Sequence, residues 1–336
     1  MSTLSTSSAA QRGTSPESSM ATLIDATARD SRATGSADPR RTRKLARAEE
    51  RDALNRRADG TRRPWWSSLI ARIVLIALAL LFMLPLYWMI ASSLKSNEEL
   101  AKFPPTLIPQ TWDFGNYVKA VTAMPFMTFF ANSAIITVSV VVLSVIANFI
   151  VAYGFACIDW PGRDVVFYIV IATLFLPFPV TLIPMFDMWA HLGLVNTLFP
   201  LIIPAAFGSA FYVFLLRQFL LQIPRDMLDA ARVDGASEWT ILWRLAFPTA
   251  RPALATVAIF AAVAAWNDFM GPLIYLQDQR VQTLSIGLQA FRSVNAQDVS
   301  FNQLMAASFL VILPLLVLFF VFQRYFIRGI TIGGFK

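Results

Sequence analysis

Between Arg72 and Lys95 the chain runs for 22 residues without a charged side chain, and from Ala120 to Ile158 it is again uncharged. A helix rises 1.5 Å per residue and satisfies its own backbone groups, so about 20 such residues cross the roughly 30 Å of a bilayer's hydrocarbon core. Six apolar stretches meet that length, at about 73–94, 127–157, 165–185, 196–216, 252–275 and 304–322. The expected fold is therefore all-α and polytopic, a bundle of six transmembrane helices. Composition agrees: 56% of residues are hydrophobic and 15% charged, where soluble domains carry about 25% charged residues. A water-soluble enzyme built on one core is excluded.

Charge is distributed unevenly. Residues 1–72 carry 14 of the 28 Lys and Arg and 8 of the 21 Asp and Glu, so the formal net charge of +7 sits almost wholly in this segment. Residues 1–64 have almost no large apolar side chains and are expected to form a disordered basic cytosolic tail. Its run Arg40, Arg41, Arg43, Lys44 and Arg47 reads as solvated chain or as a contact for anionic lipid headgroups. No nucleic-acid partner is implied. With the tail inside, 23 Lys and Arg fall in cytosolic segments and five (Lys95, Lys102, Lys119, Arg280 and Arg292) outside, which predicts both termini in the cytosol of a multi-pass cell-membrane protein. One cysteine, Cys157, and one histidine, His191, are too few for a disulfide or a Cys/His zinc site, and no serine-elbow motif accompanies His191. No metal site or cofactor is expected.

Proline recurs within the apolar stretches, at Pro85, Pro177, Pro179, Pro184, Pro200, Pro204, Pro272 and Pro314. Each removes a backbone donor and is expected to kink its helix. A kinked bundle suits a water-accessible, moving cavity, although any one kink equally suits static packing. Polar residues inside the spans are costly in lipid. Asn132, Ser133, Asn148 and Tyr153 read as interhelical hydrogen-bonding groups. The cluster Trp266, Asn267 and Asp268 reads either as a sugar path, with an indole face for a pyranose ring and polar groups for hydroxyls, or as a set satisfying backbone at the break before Gly271-Pro272 or pairing with a partner. Trp65 and Trp66 precede the first span, where indoles anchor at the interface.

The long inside segment 217–251 is more than a connector. Pro224 opens a short helix with an acidic start, Asp226 and Asp229. Ala230 and Ala231 favour helix, Asp234-Gly235 ends it, and Ser237 caps a second helix that carries Trp239, Leu242, Trp243 and Leu245 until Pro248. The product is a rigid two-helix projection beneath the membrane. It reads as a knob for a groove on another protein or as an amphipathic loop on the headgroups.

The run Asp229-Ala230-Ala231, then Asp234-Gly235-Ala236-Ser237, then Leu245, Phe247 and Pro248, resembles the EAA loop of permease subunits of binding-protein-dependent ATP-binding-cassette importers. That loop reads Glu-Ala-Ala, two variable residues, Asp-Gly-Ala, and an apolar-Pro about a dozen residues on. The departure is Asp229 in place of glutamate, which keeps the charge and shortens its reach. Arg217-Gln218-Phe219 ahead of Ile223-Pro224, Asn132-Ser133, Trp266-Asn267-Asp268 and Arg324-Tyr325-Phe326-Ile327-Arg328-Gly329 extend the likeness to the carbohydrate-uptake branch, over about residues 70–336.

The resemblance implies a six-helix permease domain over 65–336 with a coupling loop at 217–251, in which Asp229, Ala230, Ala231, Asp234, Gly235, Ala236 and Ser237 dock on an ATPase. It implies as partners a second permease, a dimer of ABC ATPase subunits and an extracytoplasmic solute-binding protein, with a sugar as cargo. The sequence holds no Gly-x-x-x-x-Gly-Lys-Ser/Thr loop, so hydrolysis falls to a separate subunit and this chain is expected to be no enzyme. Glycerol phosphate or another polyol as cargo, and an ATP-independent secondary carrier, stay open at this point. So does an enzyme acting on lipid-linked sugars, although no acidic cluster lies outside the loop and the tail apart from Glu98-Glu99.

Overall fold

A computed structural model describes residues 65–294 and 301–332; the segment 1–64, expected as a tail, lies outside them. The described residues are helical, with no strand among them. They fall into two units that divide at Phe82–Met83. Helix α1 (Trp65–Ser93) runs through that division, and its apolar side chains from Leu69 to Phe82 are exposed.

From Met83 onward the chain forms, after the end of α1, the helices α2 (Asn97–Leu100), α3 (Gly115–Thr122), α4 (Phe126–Ala156), α5 (Arg163–Ala172), α6 (Phe178–His191) and α7 (Phe199–Ile202). There follow α8 (Ala210–Leu220), α9 (Arg225–Val233), α10 (Glu238–Ile241), α11 (Phe247–Asn267), α12 (Met270–Tyr275), α13 (Leu284–Val294) and α14 (Phe301–Ile332). Five stretches are long and apolar enough to cross a membrane: Leu69–Ser93, Phe126–Ala156, Phe199–Leu220, Glu238–Asn267 and Phe301–Gln323. A sixth is present if the bent pair around α5 and α6 counts as one span.

Two stretches differ from the sequence expectation. The expected third span, 165–185, is broken: Arg163–Phe175 and Pro179–His191 meet at 99°. Pro177 disfavours helical backbone in the residue before it, and Leu176 is accordingly extended at ψ 112°. The expected fifth span, 252–275, instead begins at Glu238 and ends at Asn267. Pro248 does not stop the helix that Ser237 caps. A π turn over Leu242–Ala246 joins α10 to α11, and the helix runs on through Pro248, the second residue of α11. Phe149, Trp243 and Phe247 pack ring against ring around this turn at 5.4–6.0 Å.

Helix α4 is the centre of the second unit. Its C-terminal half forms the largest core with α8, α9, α10 and the start of α11, through residues such as Phe149, Leu216, Ile241 and Val257. Its four expected hydrogen-bonding residues each reach another segment. Asn132 donates to the carbonyls of Arg280 and Gln282, and Ser133 accepts from the Leu284 N–H. Asn148 accepts from the Ser209 N–H at 2.7 Å, and Tyr153 donates to Glu238 at 2.6 Å.

Beyond the end of α1 lies a buried polar cluster. Lys95 is 1% exposed; its ammonium donates to the Thr106 carbonyl and sits 4.8 Å from the Trp88 ring. Asn116 donates to the Ser93 carbonyl at the end of α1, and Asn116 and Asn302 both donate to the Lys95 carbonyl, which ties α1, α3 and α14 together. Glu99 accepts from the Thr106 hydroxyl and the Gln110 N–H.

Candidate functional site

The segment between α8 and α11 is folded as the sequence predicts at its first helix and its caps. Pro224 precedes α9, and Ser237 caps α10 by accepting from the Thr240 N–H. The end of α9 is a Schellman cap: the Gly235 N–H bonds the Arg232 carbonyl and the Ala236 N–H bonds the Ala231 carbonyl, both at 3.0 Å. Gly235 stands at φ +80°, a conformation glycine adopts without penalty.

Helical periodicity then splits the loop residues between two faces. Leu228 is buried and Ala231 packs inward with Ala236 on the core. Removing Leu228 from water contributes about 1.5–3 kcal/mol to seating α9. Met227, Ala230 and Val233 are exposed at i, i+3 and i+6, and Val233 is 87% exposed. Asp226, Asp229 and Asp234 are exposed beside this small apolar strip, as are Arg225 and Arg232. The two alanines of the motif thus do different work: Ala230 is presented and Ala231 is packed. Met227 and Val233 were not singled out from sequence, although their spacing carries the signal.

Asp229 is held by Arg232 at 2.8 Å, and the same guanidinium holds Glu238 at 2.8 Å and the Cys157 carbonyl at 2.8 Å. The Glu238 hydrogen bond is the main cause of a raised Arg232 pKa; burial opposes it and the Asp229 contact adds to it. Arg232 therefore keeps its charge at any physiological pH.

The other expected cluster lies at the far end of α11. Trp266 is buried, donates its indole N–H to the Val311 carbonyl at 3.0 Å and meets Phe130 edge-on. Asn267 donates back to the Val263 carbonyl. Asp268 stands in the break between α11 and α12, where its carboxylate accepts from the Gly271 N–H and its carbonyl accepts from the Ser285 hydroxyl. The three are neighbours in the chain and yet point to different partners. Trp266 and Asp268 line a cavity of about 290 Å³, together with Ser133, Tyr212 and Thr283. Asp268 also borders a second cavity of about 480 Å³ with Tyr275. Among the described residues no group of His, Cys, Asp and Glu is placed to hold a metal ion.

Residues 149–332, from the second half of α4 through α14, match the family model of the binding-protein-dependent transport system inner membrane component. The chain belongs to this family. Its members are membrane-embedded permease subunits of ABC importers, not themselves enzymes, and the chain is a multi-pass membrane protein of that kind. It is 36% identical over 77% of its length to the arabinooligosaccharides transport system permease protein AraQ of Halalkalibacterium halodurans, covering 93% of that protein. It is 33% identical over 80% of its length to the diacetylchitobiose uptake system permease protein NgcG of Streptomyces coelicolor, covering 88% of that protein. A chain from the crystal structure of a bacterial ABC transporter involved in the import of the acidic polysaccharide alginate superimposes with a TM-score of 0.66 at 26% identity, over 77% of this chain and 96% of that one.

Proposed function

We propose that this permease translocates an oligosaccharide delivered by an extracytoplasmic binding protein, pairs with a second permease subunit, and docks α9 on one of two ATPase subunits that supply the energy. The observation that carries the reading is the exposed strip Met227–Ala230–Val233, flanked by charged side chains on a helix capped at its far end and seated through Leu228. A short helix fixed by its far cap and its buried Leu228 moves as a body and can pass displacement into the fold. Both termini then lie in the cytosol with the loop. The oligosaccharide assignment is supported by two relatives whose names specify arabinooligosaccharides and diacetylchitobiose and by a structural neighbour that imports alginate. The cavity at Tyr212, Trp266 and Asp268 is the candidate path within this subunit.

Enlarging the presented residue tests the docking. Ala230→Trp is expected to abolish uptake and co-purification of the ATPase while the protein stays in the membrane at normal level. Uptake at the wild-type rate would overturn the assignment. Ala231→Trp is the less clean variant, because Ala231 packs inward and its enlargement disturbs the seat of α9 as well.

A further inference from the structure

The C-terminal end of α4 is held by side chains from several elements. A helix leaves its last four carbonyls unpaired, at the negative end of its dipole. Here the Gly154 carbonyl accepts from the Trp160 indole, the Phe155 carbonyl from Arg217 on α8, and the Cys157 carbonyl from Arg232 on α9. Arg163 of α5 donates to the next carbonyl, Ile158. Three arginines from three helices thus converge on one helix end. Arg217 is fixed from behind by the Phe167 ring, 4.1 Å from its guanidinium carbon.

Arg232 differs from the other two because it closes a ring. Its Nη2 meets the Cys157 carbonyl of α4, and its Nε meets Oε1 of Glu238, the first residue of the continuous helix Glu238–Asn267. The other Glu238 oxygen accepts from Tyr153 of α4, one turn before Cys157. The third arm, Nη1, holds Asp229 within α9. Apart from the ring, α9 connects to the Glu238–Asn267 helix through the bend at 234–237, which turns on Gly235, and through Leu228 in the apolar core shared with Ile241 and Leu242; it connects to α4 through the same core and through the Arg225–Asp159 contact just beyond the end of α4. A bend of that kind can hinge. A planar guanidinium with three fixed arms resists the hinge, which a lysine ammonium cannot do because it offers one nitrogen.

From this geometry we infer that Arg232 is a positioning residue that makes α9, α4 and the Glu238–Asn267 helix move as one, so that displacement of α9 reaches two membrane helices together. The inference rests on the docking reading above and concerns what happens after docking.

The test is the amount of solute moved per ATP hydrolysed by the complete transporter in proteoliposomes, with stimulation of hydrolysis by loaded binding protein measured in parallel. Arg232→Ala is expected to assemble with the ATPase and to lose about fivefold or more in solute per ATP, the low end of ordinary coupling between sites. Arg232→Lys is expected to stay low, because charge without the fork does not rebuild the ring; a wild-type ratio in this variant overturns the inference. Tyr153→Phe removes one hydroxyl, leaves α9 untouched, and is expected to lower the ratio by about twofold or more, the worth of one hydrogen bond. A wild-type ratio in Tyr153→Phe also overturns the inference, whatever happens to the folding of the arginine variants. Loss of docking is read separately: if Ala230→Trp transports normally the docking reading fails, whereas if it is inactive and the Arg232 and Tyr153 variants keep the full ratio, only the ring fails.

Discussion

Replacement of Gly235 isolates backbone strain at the loop from every other effect. A Cβ built on Gly235 meets nothing within 4 Å, so no side chain has to shift, and the whole effect comes from φ +80°. An L-residue held in the left-handed region costs about 1–2 kcal/mol, and asparagine less because it enters that region more readily. An energy of that size changes the ratio of capped to uncapped bend by about 5–30-fold. The two Schellman hydrogen bonds, from Gly235 to Arg232 and from Ala236 to Ala231, are what the uncapped form gives up. The expected order of solute moved per ATP is therefore Gly, then Asn, then Ala, then Val, with unchanged amounts of protein in the membrane because the bend is exposed. Gly193 is the control: it stands at φ +69° with equally open surroundings and lies between α6 and α7. Gly193→Ala carries a similar strain and is expected to leave the ratio intact. Equal coupling by Gly, Ala and Val at position 235 would refute the reasoning, as would an equal loss in Gly193→Ala.

Burial, aided by the Glu238 charge and opposed by Arg232 and Arg225, pushes the Cys157 thiol above its ordinary range, up to about 11. Because the thiolate is the reactive form, maleimide labelling of this single cysteine at pH 8 is expected about a hundredfold slower than for a free thiol, and to rise about tenfold per pH unit past pH 9. A plateau near pH 9 would contradict the buried placement. Asn148→Ala leaves the Ser209 N–H without its acceptor at the break before α8, and is expected to cost about 1–3 kcal/mol, read as a lower Tm of the solubilised protein. For Glu99, burial raises the carboxyl's pKa, but hydrogen bonds from Thr106, Gln110 and Thr111 and the charge of Lys95 outweigh it and leave the pKa lowered from 4.5. Its stabilisation is therefore complete above pH 4.5 and is lost as pH falls through the lowered value; Glu99→Gln is expected to flatten that part of a Tm–pH curve.

The spans legible in the sequence were those in which the charge-free length coincides with one helix, as in Phe126–Ala156. Hydropathy does not register a bend between two equally apolar halves, so Arg163–Phe175 and Pro179–His191 read as one segment, even though Pro177 and Pro179 mark the place. It likewise stopped the fifth span short of Arg244 and Arg251, because charge ends an apolar stretch without ending a helix. The π turn that carries the helix through Leu242–Ala246 has no compositional mark. In the loop, caps were legible because they depend on single residues: Pro224, Gly235 and Ser237 act locally. The roles of Ala230 and Ala231 needed the register of α9 against its core, although the spacing of Leu228 from Ala231, and of Met227 from Ala230 and Val233, already contains it. Arg232 could not be read at all, since its partner carbonyl at Cys157 lies 75 residues away.

The polar residues in the apolar stretches and the breaks between helices answer one another. A peptide group freed at a break in lipid must find a partner, and a polar side chain in lipid must find one too. Asn148 meets the Ser209 N–H beside Gly208, where φ is +84° and the chain passes from a 3-10 turn to α8. Ser285 meets the Asp268 carbonyl where α11 gives way to α12, and Ser133 meets the Leu284 N–H at the start of α13. Each pairing is one or two hydrogen bonds at the end of an element, while the apolar faces alongside have only van der Waals contact to keep them in register. Neighbouring elements are thus joined at points. Rotation about such a point breaks few bonds and exposes little new polar surface, so a unit joined this way can rearrange at low cost, with α4 as the element to which most of the points belong.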